Sequence, residues 1–168
     1  VVDFLDELEA CVPALRRYAR ALTQNIDRAD DLVQDCLERA LSRRSLFRPN
    51  GPLRPWLFTI LTNLHRNAQR ADRRHGKTID LDQAPELATP PPQPSHLALS
   101  EVARAIETLP LDQKEALLLV TLEGLAYAEA ADILQIPVGT LMSRLGRART
   151  SLRHQTGAGH EPHLRTVK

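Results

Sequence analysis

The chain has 168 residues, 42% of them apolar but only 4% aromatic, and its 22 Lys and Arg nearly balance its 21 Asp and Glu to leave a net charge of +1. This length fits one domain or two small ones, with a core packed from Leu, Ala, Val and Ile. Two cysteines without zinc-ligand spacing argue against a disulfide framework or a zinc site, and no signal-peptide pattern or apolar run of about 18 residues argues for export or a membrane span.

In chain order, Asp3–Thr23 places Leu5, Leu8, Val12, Leu15, Ala19 and Leu22 at spacings of three and four, which predicts one helix with a single apolar seam. Pro13 interrupts the pattern and either kinks that helix or separates two. Asn25–Arg44 opens with the cap-type residues Asn25 and Asp27, has acids in its first turns and arginines at its end, and carries Leu32, Val33, Cys36, Leu37, Ala40 and Leu41 on one side. Asp30, Asp31, Gln34, Asp35 and Glu38 fall on other faces, where a solvated acidic surface is the plain expectation. Cys11 and Cys36 lie within the apolar patterns and read as buried free thiols in a reducing cytoplasm.

Ser45–Pro55 holds Pro49, Asn50, Gly51, Pro52 and Pro55 and reads as a loop, with Pro55 placed to begin the next helix. That helix, Pro55–Arg74, buries Leu57, Ile60, Leu61, Leu64 and Ala68. It presents Trp56, Phe58, Thr59, Thr62, Asn63, His65, Arg66, Asn67, Arg70, Arg73 and Arg74. Aromatic rings stack on unpaired bases, amides read base edges and arginines neutralise phosphates, so this mixture suits single-stranded nucleic acid. Trp56 and Phe58 equally suit a core.

Residues 76–95 lose periodicity and carry Asp80, Asp82, Glu86 and five prolines, so they read as a flexible linker. Its twenty residues would reach up to ~60 Å if wholly polyproline-like. Ser95–Leu109 is amphipathic, with Leu99, Val102, Ala103 and Ile106 inward, and Pro110 ends it. Asp112 and Glu115 form a cap-box-like start for Asp112–Leu122, and Gly124 is a natural left-handed stop after it. Tyr127–Leu134, a turn at Gln135–Pro137, and the acid-free amphipathic segment Gly139–Arg153 then form a helix-turn-helix. Leu141, Leu145, Ala148 and Leu152 make the apolar stripe of the last helix, with Thr140, Ser143, Arg144 and Arg147 on the neighbouring polar face and Arg149 and Arg153 further round. Residues 156–168 read as a flexible tail.

The charges fall in blocks. Residues 1–38 hold nine acids and four bases, 39–77 one acid and ten bases, 78–138 ten acids and two bases, and 139–168 one acid and six bases. Two separated basic blocks suggest two contacts with a polyanion. The six histidines form no HExxH-like pair, and neither GxxxxGK[ST] nor GxSxG is present, so no catalytic residue, metal ligand or cofactor is expected.

Three stretches together resemble a bacterial extracytoplasmic-function (ECF, group 4) sigma factor of the sigma-70 family: ADDLVQDCLERAL (Ala29–Leu41), RPWLFTILTNLHRNAQRADRR (Arg54–Arg74) and LPLDQKEALLLVTLEGLAYAEAADILQIPVGTLMSRLGRARTSL (Leu109–Leu152). They look like region 2.2, regions 2.3 and 2.4, and region 4, joined by a Pro-rich acidic linker without region 1.1 or a domain 3. The wording around LFTIL and LEGLAYAEAA resembles the alphaproteobacterial general-stress branch. The resemblance implies an all-α protein of two small helical domains, sigma region 2 over 1–75 and sigma region 4 over 96–155, that acts in the cytoplasm and is no enzyme. It implies docking of Asp30, Asp31, Gln34 and Asp35 on the β′ clamp helices of core RNA polymerase, and of region 4 on the β flap.

For promoter DNA, the resemblance implies that the Phe47–Arg54 loop holds a flipped base of the −10 element. Trp56, Thr59, Thr62, Asn63, Arg66, Asn67 and Arg70 then meet the melted strand. Thr140, Ser143, Arg144 and Arg147 read the −35 duplex, with Arg149 and Arg153 on phosphate, and the linker's acids mimic nucleic-acid charge inside the polymerase. An anti-sigma factor is the implied regulator. Met142 stands where the family often has Lys, and Ala126 where a capping Ser or Thr is common, which weakens that helix start by ~1 kcal/mol. A chain that begins at Val1 is expected to lack its true N-terminus. Two rival readings are a helix-turn-helix regulator that acts without polymerase and a sigma-like mimic that sequesters an anti-sigma factor.

Overall fold

The computed structural model describes residues 3–47, 51–76 and 94–157, with side chains from residue 100 onward in the last segment. The expected linker and tail, and residues 48–50 of the expected base-holding loop, lie outside the described residues. Everything regular among the described residues is helical.

Helix α1 (Phe4–Thr23) runs unbroken through Pro13, which excludes the two-helix alternative. The ring sits on the exposed side, and the seam of Leu8, Leu15, Tyr18, Ala19 and Leu22 holds the helix to the core from the other. Leu5, expected in that seam, is exposed. Gln24 ends α1 in a left-handed conformation (φ 54°), and the Thr23 hydroxyl bonds the carbonyls of Ala19 and Asn25 across the turn. Asn25 then caps α2 (Ile26–Ser42), its side-chain oxygen accepting from the Arg28 amide at 2.9 Å. Helix α2 buries Ala29, Leu32, Val33, Cys36 and Ala40, while Leu41 stays exposed. Burial pushes the Cys36 thiol up to about 12, so it behaves as an apolar group whose Sγ approaches the Leu57 carbonyl at 3.5 Å.

A single 3₁₀ turn (Arg44–Leu46) leads toward α3 (Leu53–Arg74), which begins two residues before the expected Pro55. Leu53, Leu57, Ile60 and Leu61 face α1 and α2, and Tyr18 meets Phe58 edge-on, with ring centroids 5.2 Å apart. These three helices form the first domain.

The second domain contains α4 (Pro94–Glu107), α5 (Leu111–Leu117), α6 (Tyr127–Leu134) and α7 (Val138–Gln155). Helix α4 turns Ala105 inward and leaves Val102 and Ala103 exposed, contrary to the expected register; Leu99 lies outside the described side chains. Pro110 precedes α5, so the cap-box reading of Asp112 and Glu115 is replaced by a Pro-led start. After Leu117 the backbone widens into a π-turn over Leu118–Leu122, closed by a bond from the Glu123 amide to the Leu118 carbonyl at 3.1 Å. Gly124 then reverses the chain at φ 66°, as its position suggested. Ala126 offers no side-chain acceptor to α6, but the Glu129 carboxylate accepts the Ala126 amide at 3.0 Å and restores half of a capping box. Leu141, Leu145 and Ala148 of α7 are buried against α5 and α6, along the stripe expected from their spacing.

The two domains pack together, with α3 against α6 and α1 against the π-turn.

Candidate nucleic-acid interface

At 3.6 residues per turn, Trp56, Thr59, Asn63, Asn67 and Arg70 share one side of α3. Asn63, Asn67 and Arg70 are exposed there. Trp56 is half-buried, its ring 5.3 Å from that of Phe47, which in turn lies 5.8 Å from Phe4. The aromatic group supports the entrance to α3, with Trp56 still partly open to solvent. Thr59 bonds back to the Pro55 carbonyl at 3.0 Å. Phe58, Thr62 and His65 lie a quarter-turn or more away, toward the interior. Thr62 is fully buried, with its hydroxyl 3.5 Å from that of Tyr18. Thr62, Phe58 and His65 have no surface open to a strand in this arrangement of the two domains.

On α7, Ser143 and Arg147 are exposed, Thr140 is half-buried, and the Ser143 hydroxyl is held by the Gly139 carbonyl at 3.1 Å. Arg149 and Arg153 are exposed on the opposite flank beside Met142, and Arg149 reaches the Tyr127 hydroxyl at 3.5 Å. Arg144 is paired with Asp112 at 3.4 Å and is the least exposed of the four α7 arginines. Gln135, left-handed at φ 55°, makes the turn between α6 and α7, and the Ile136 amide bonds the Ala131 carbonyl across it.

Packing of the domains brings Arg66, Arg70 and Arg73 of α3 to one wall of a cleft of about 500 Å³, with Asp112, Glu115 and Arg144 on the other. Arg66 grips Glu115 through Nη2 at 2.6 Å and through Nε at 3.0 Å. Burial pushes the Glu115 carboxyl up, against the opposing pull of Arg66, and the same pair raises Arg66. Glu123, on the π-turn side, accepts from Arg17 at 2.9 and 2.7 Å and from Arg54 at 2.9 Å. Sequence reading gave no pairing role to Arg17, Glu115 and Glu123. Their partners lie 49 to 106 residues away, which no local pattern encodes.

The acidic side of α2 faces away from its buried stripe. Asp30, Asp31, Gln34 and Asp35 are all exposed. Asp30 has loose partners in Arg16 and Arg20 at 3.9 and 3.8 Å, and Gln34 bonds Glu38 at 3.0 Å. Asp31 and Asp35 line a groove of about 370 Å³ between α2 and α3, together with Asp72, Leu32, Leu64 and His65. Among the described residues, His65 Nδ1 is buried without a hydrogen-bond partner. Burial, helped by Lys114 and Arg66, pulls this imidazole down to about 4 from its ordinary 6.5. The sign follows directly: stability is complete above 6.5 and is lost as pH falls toward 4, because the unfolded chain takes up the proton first. The loss approaches about 3 kcal/mol. Urea unfolding followed by Trp56 fluorescence at pH 7 and pH 4.5 should show a steeper fall for the wild type than for His65→Gln. Parallel falls would refute the assignment.

Among the described residues, no group of three or more His, Cys, Asp and Glu side chains is placed to hold a metal ion. No described helix is long and apolar enough to cross a membrane.

The family model for the Sigma2 domain of PhyR matches residues 8–62, and the model for sigma-70, region 4, matches residues 99–152. The ECF RNA polymerase sigma factor EcfG of Rhodopseudomonas palustris (strain TIE-1) is 46% identical over 147 residues, which cover 88% of this chain and 81% of that protein. The ECF RNA polymerase sigma factor SigC of Mycobacterium tuberculosis (strain CDC 1551 / Oshkosh) is 34% identical over 143 residues, or 79% and 72% of the two chains. Among solved structures, the sigma factor RpoE in complex with the anti-sigma factor NepR from Bartonella quintana matches with a TM-score of 0.79 at 36% identity, covering 95% of this chain and 100% of that one. Because the identity runs through both domains and not through the helix-turn-helix alone, the chain belongs to the ECF family of RNA polymerase sigma factors.

Proposed function

We propose that this chain is a cytoplasmic promoter-specificity subunit, without catalysis of its own, that binds core RNA polymerase and directs it to promoters through a −35 and a −10 element. The observation that carries the reading is the division of surfaces in the first domain. One side of α3 offers the half-buried Trp56, two amides and Arg70 to a strand, while α2 offers Asp31 and Asp35, without an ion pair among the described residues, on a different side. A protein that only bound duplex DNA would have no use for either.

In this reading Trp56, Thr59, Asn63, Asn67 and Arg70 receive the melted −10 strand, joined by Arg66 once it is free of Glu115. Stacking and hydrogen bonds to splayed bases offset part of the unpairing energy. Thr140, Ser143, Arg144 and Arg147 enter the −35 major groove, and Arg149 and Arg153 meet flanking phosphates. Asp30, Asp31, Gln34 and Asp35 dock on basic groups of the polymerase β′ clamp, and the second domain on the β flap. An anti-sigma factor, like the NepR bound to RpoE, holds the protein inactive until it is needed.

The test is initiation by core polymerase plus this chain on a promoter with defined −35 and −10 elements; absence of core binding would overturn the reading. Within the same assay, Arg144→Ala should weaken −35 recognition by about 1–3 kcal/mol while leaving core affinity at the wild-type value. Equal losses in both would show that Arg144 acts through folding. A second reading, a mimic that sequesters an anti-sigma factor, draws on the match of residues 8–62 to the Sigma2 domain of PhyR. It predicts anti-sigma binding without any initiation.

A further inference from the structure

We infer that Met142 is a specificity-determining residue of the second domain, its side chain packing on the 5-methyl group of a thymine in the −35 duplex. The inference deepens the duplex-reading role proposed above for α7 and rests on it.

Met142 is 55% exposed, more than any other large apolar side chain described in the second domain. It projects from a helix otherwise suited to an anion, since Val138–Gln155 holds four arginines and no acid. At 3.6 residues per turn, Arg149 lies within about 20° of Met142 round the helix and Val138 within about 40°. Ser143 and Arg147 are exposed on the other flank. Between the flanks run Gly139 and Gly146, where an added Cβ would meet nothing within 4 Å. The middle of the exposed face is therefore bare backbone, and Met142 and Ser143 are the side chains that stand on either side of it in the N-terminal half of α7.

That half is the one that reaches base edges when the second helix of a helix-turn-helix enters a major groove. The base edges there are polar apart from one group, the thymine 5-methyl. Arginines on both flanks attract the phosphates of the groove walls, so an apolar side chain between them meets the floor. A polar base edge opposite Met142 loses water to a thioether that returns almost no hydrogen bonding, whereas a methyl group gains by the contact. Met142 thus discriminates by penalty as well as by attraction. Its unbranched stem and polarisable sulfur fit a methyl group over a range of approaches. Val138, exposed one turn earlier, extends the apolar surface on the same flank, and the Tyr127 hydroxyl directs Arg149 from 3.5 Å. Four arginines without an acid favour DNA over another protein as the occupant of this patch.

The experiment uses holoenzyme formed from core RNA polymerase and the full chain. A randomised promoter library first yields the −35 element it selects. Each thymine of that element, on either strand, is then replaced by deoxyuridine, which pairs identically and lacks only the methyl group. In the wild type, deoxyuridine at one position should weaken promoter binding about fourfold, the worth of one methyl group removed from water. In Met142→Ala the thymine and deoxyuridine promoters should bind alike, and selection repeated with this variant should lose its preference for thymine at that position. Alanine is the better helix former, so α7 is kept. The salt dependence should be equal in the two proteins, because a methyl contact releases no counterion.

No methyl-sensitive position in the wild type, methyl sensitivity that survives in Met142→Ala, or a shallower salt dependence in the variant would each overturn the inference. So would weaker binding of the variant to core polymerase with an unchanged thymine-to-deoxyuridine ratio, which would make Val138 and Met142 a protein-docking patch. A holoenzyme that selects a −35 element without sensing any methyl group keeps the promoter function and loses only the role of Met142. One that selects no element removes both.

Discussion

Reversing Asp31 and Asp35 together, to Arg, is expected to lower affinity for core RNA polymerase at least about a hundredfold while the fold stays intact. Both carboxylates are exposed, and among the described residues neither is spent on an ion pair, unlike Asp30 with Arg16 and Arg20. Between α2 and α3 they line a groove together with Leu32, Leu64 and His65, a third acid, Asp72, and one base, Arg28. Such a groove suits a long basic side chain, whose stem packs on the leucines while its charge meets the acids. Charge reversal replaces attraction by repulsion at a contact that loses water on docking, and losses of about 2–5 kcal/mol are usual there. Helicity and the urea midpoint should stay near wild-type values because both positions face solvent. Retained polymerase affinity in a well-folded variant would show that docking uses a different surface.

Phe58→Ala is expected to destabilise the first domain by about 3–5 kcal/mol. The ring is fully buried, meets Tyr18 edge-on with centroids 5.2 Å apart, and lies beneath the Arg54 guanidinium at 5.5 Å. Removing it opens a void where α1 crosses α3 and also withdraws the surface on which Arg54 rests. With Trp56 as the only tryptophan, its fluorescence during urea unfolding reports this domain directly. A loss under about 1.5 kcal/mol would mean that the site collapses around the smaller side chain. The contrast with Trp56 is instructive. Both residues were read as either core or stacking platform, and a two-residue step along a helix turns them through about 200°. One ring enters the core, and the other lies across Phe47 at the surface.

Much of this protein was legible without coordinates because helices repeat locally. Spacings of three and four located the seams of α1, α2 and α7, Asn25 announced the start of α2, and Gly124 the reversal before α6. The same periodicity separated the polar side of α7 from its buried stripe, which is why Ser143 and Arg147 emerge at the surface as expected. Ordered motifs across both halves then identified the family, since no single amphipathic helix could have done so.

Local pattern failed where the deciding partner was distant. Glu115 read as a capping acid and Glu123 drew no pairing role, because nothing adjacent distinguishes a solvated carboxylate from one that meets an arginine 49 or 69 residues earlier in the chain. Thr62 and Arg66 looked like neighbours of Asn63 on one polar face. The fold buried the first beside Tyr18 and tied the second to Glu115 of the other domain. The sequence by itself determined the helices, their apolar seams, the two basic blocks and the family. Only the tertiary structure decided which arginines are free, since a charge is spent or available according to what the chain brings opposite it, and that depends on how the two domains meet.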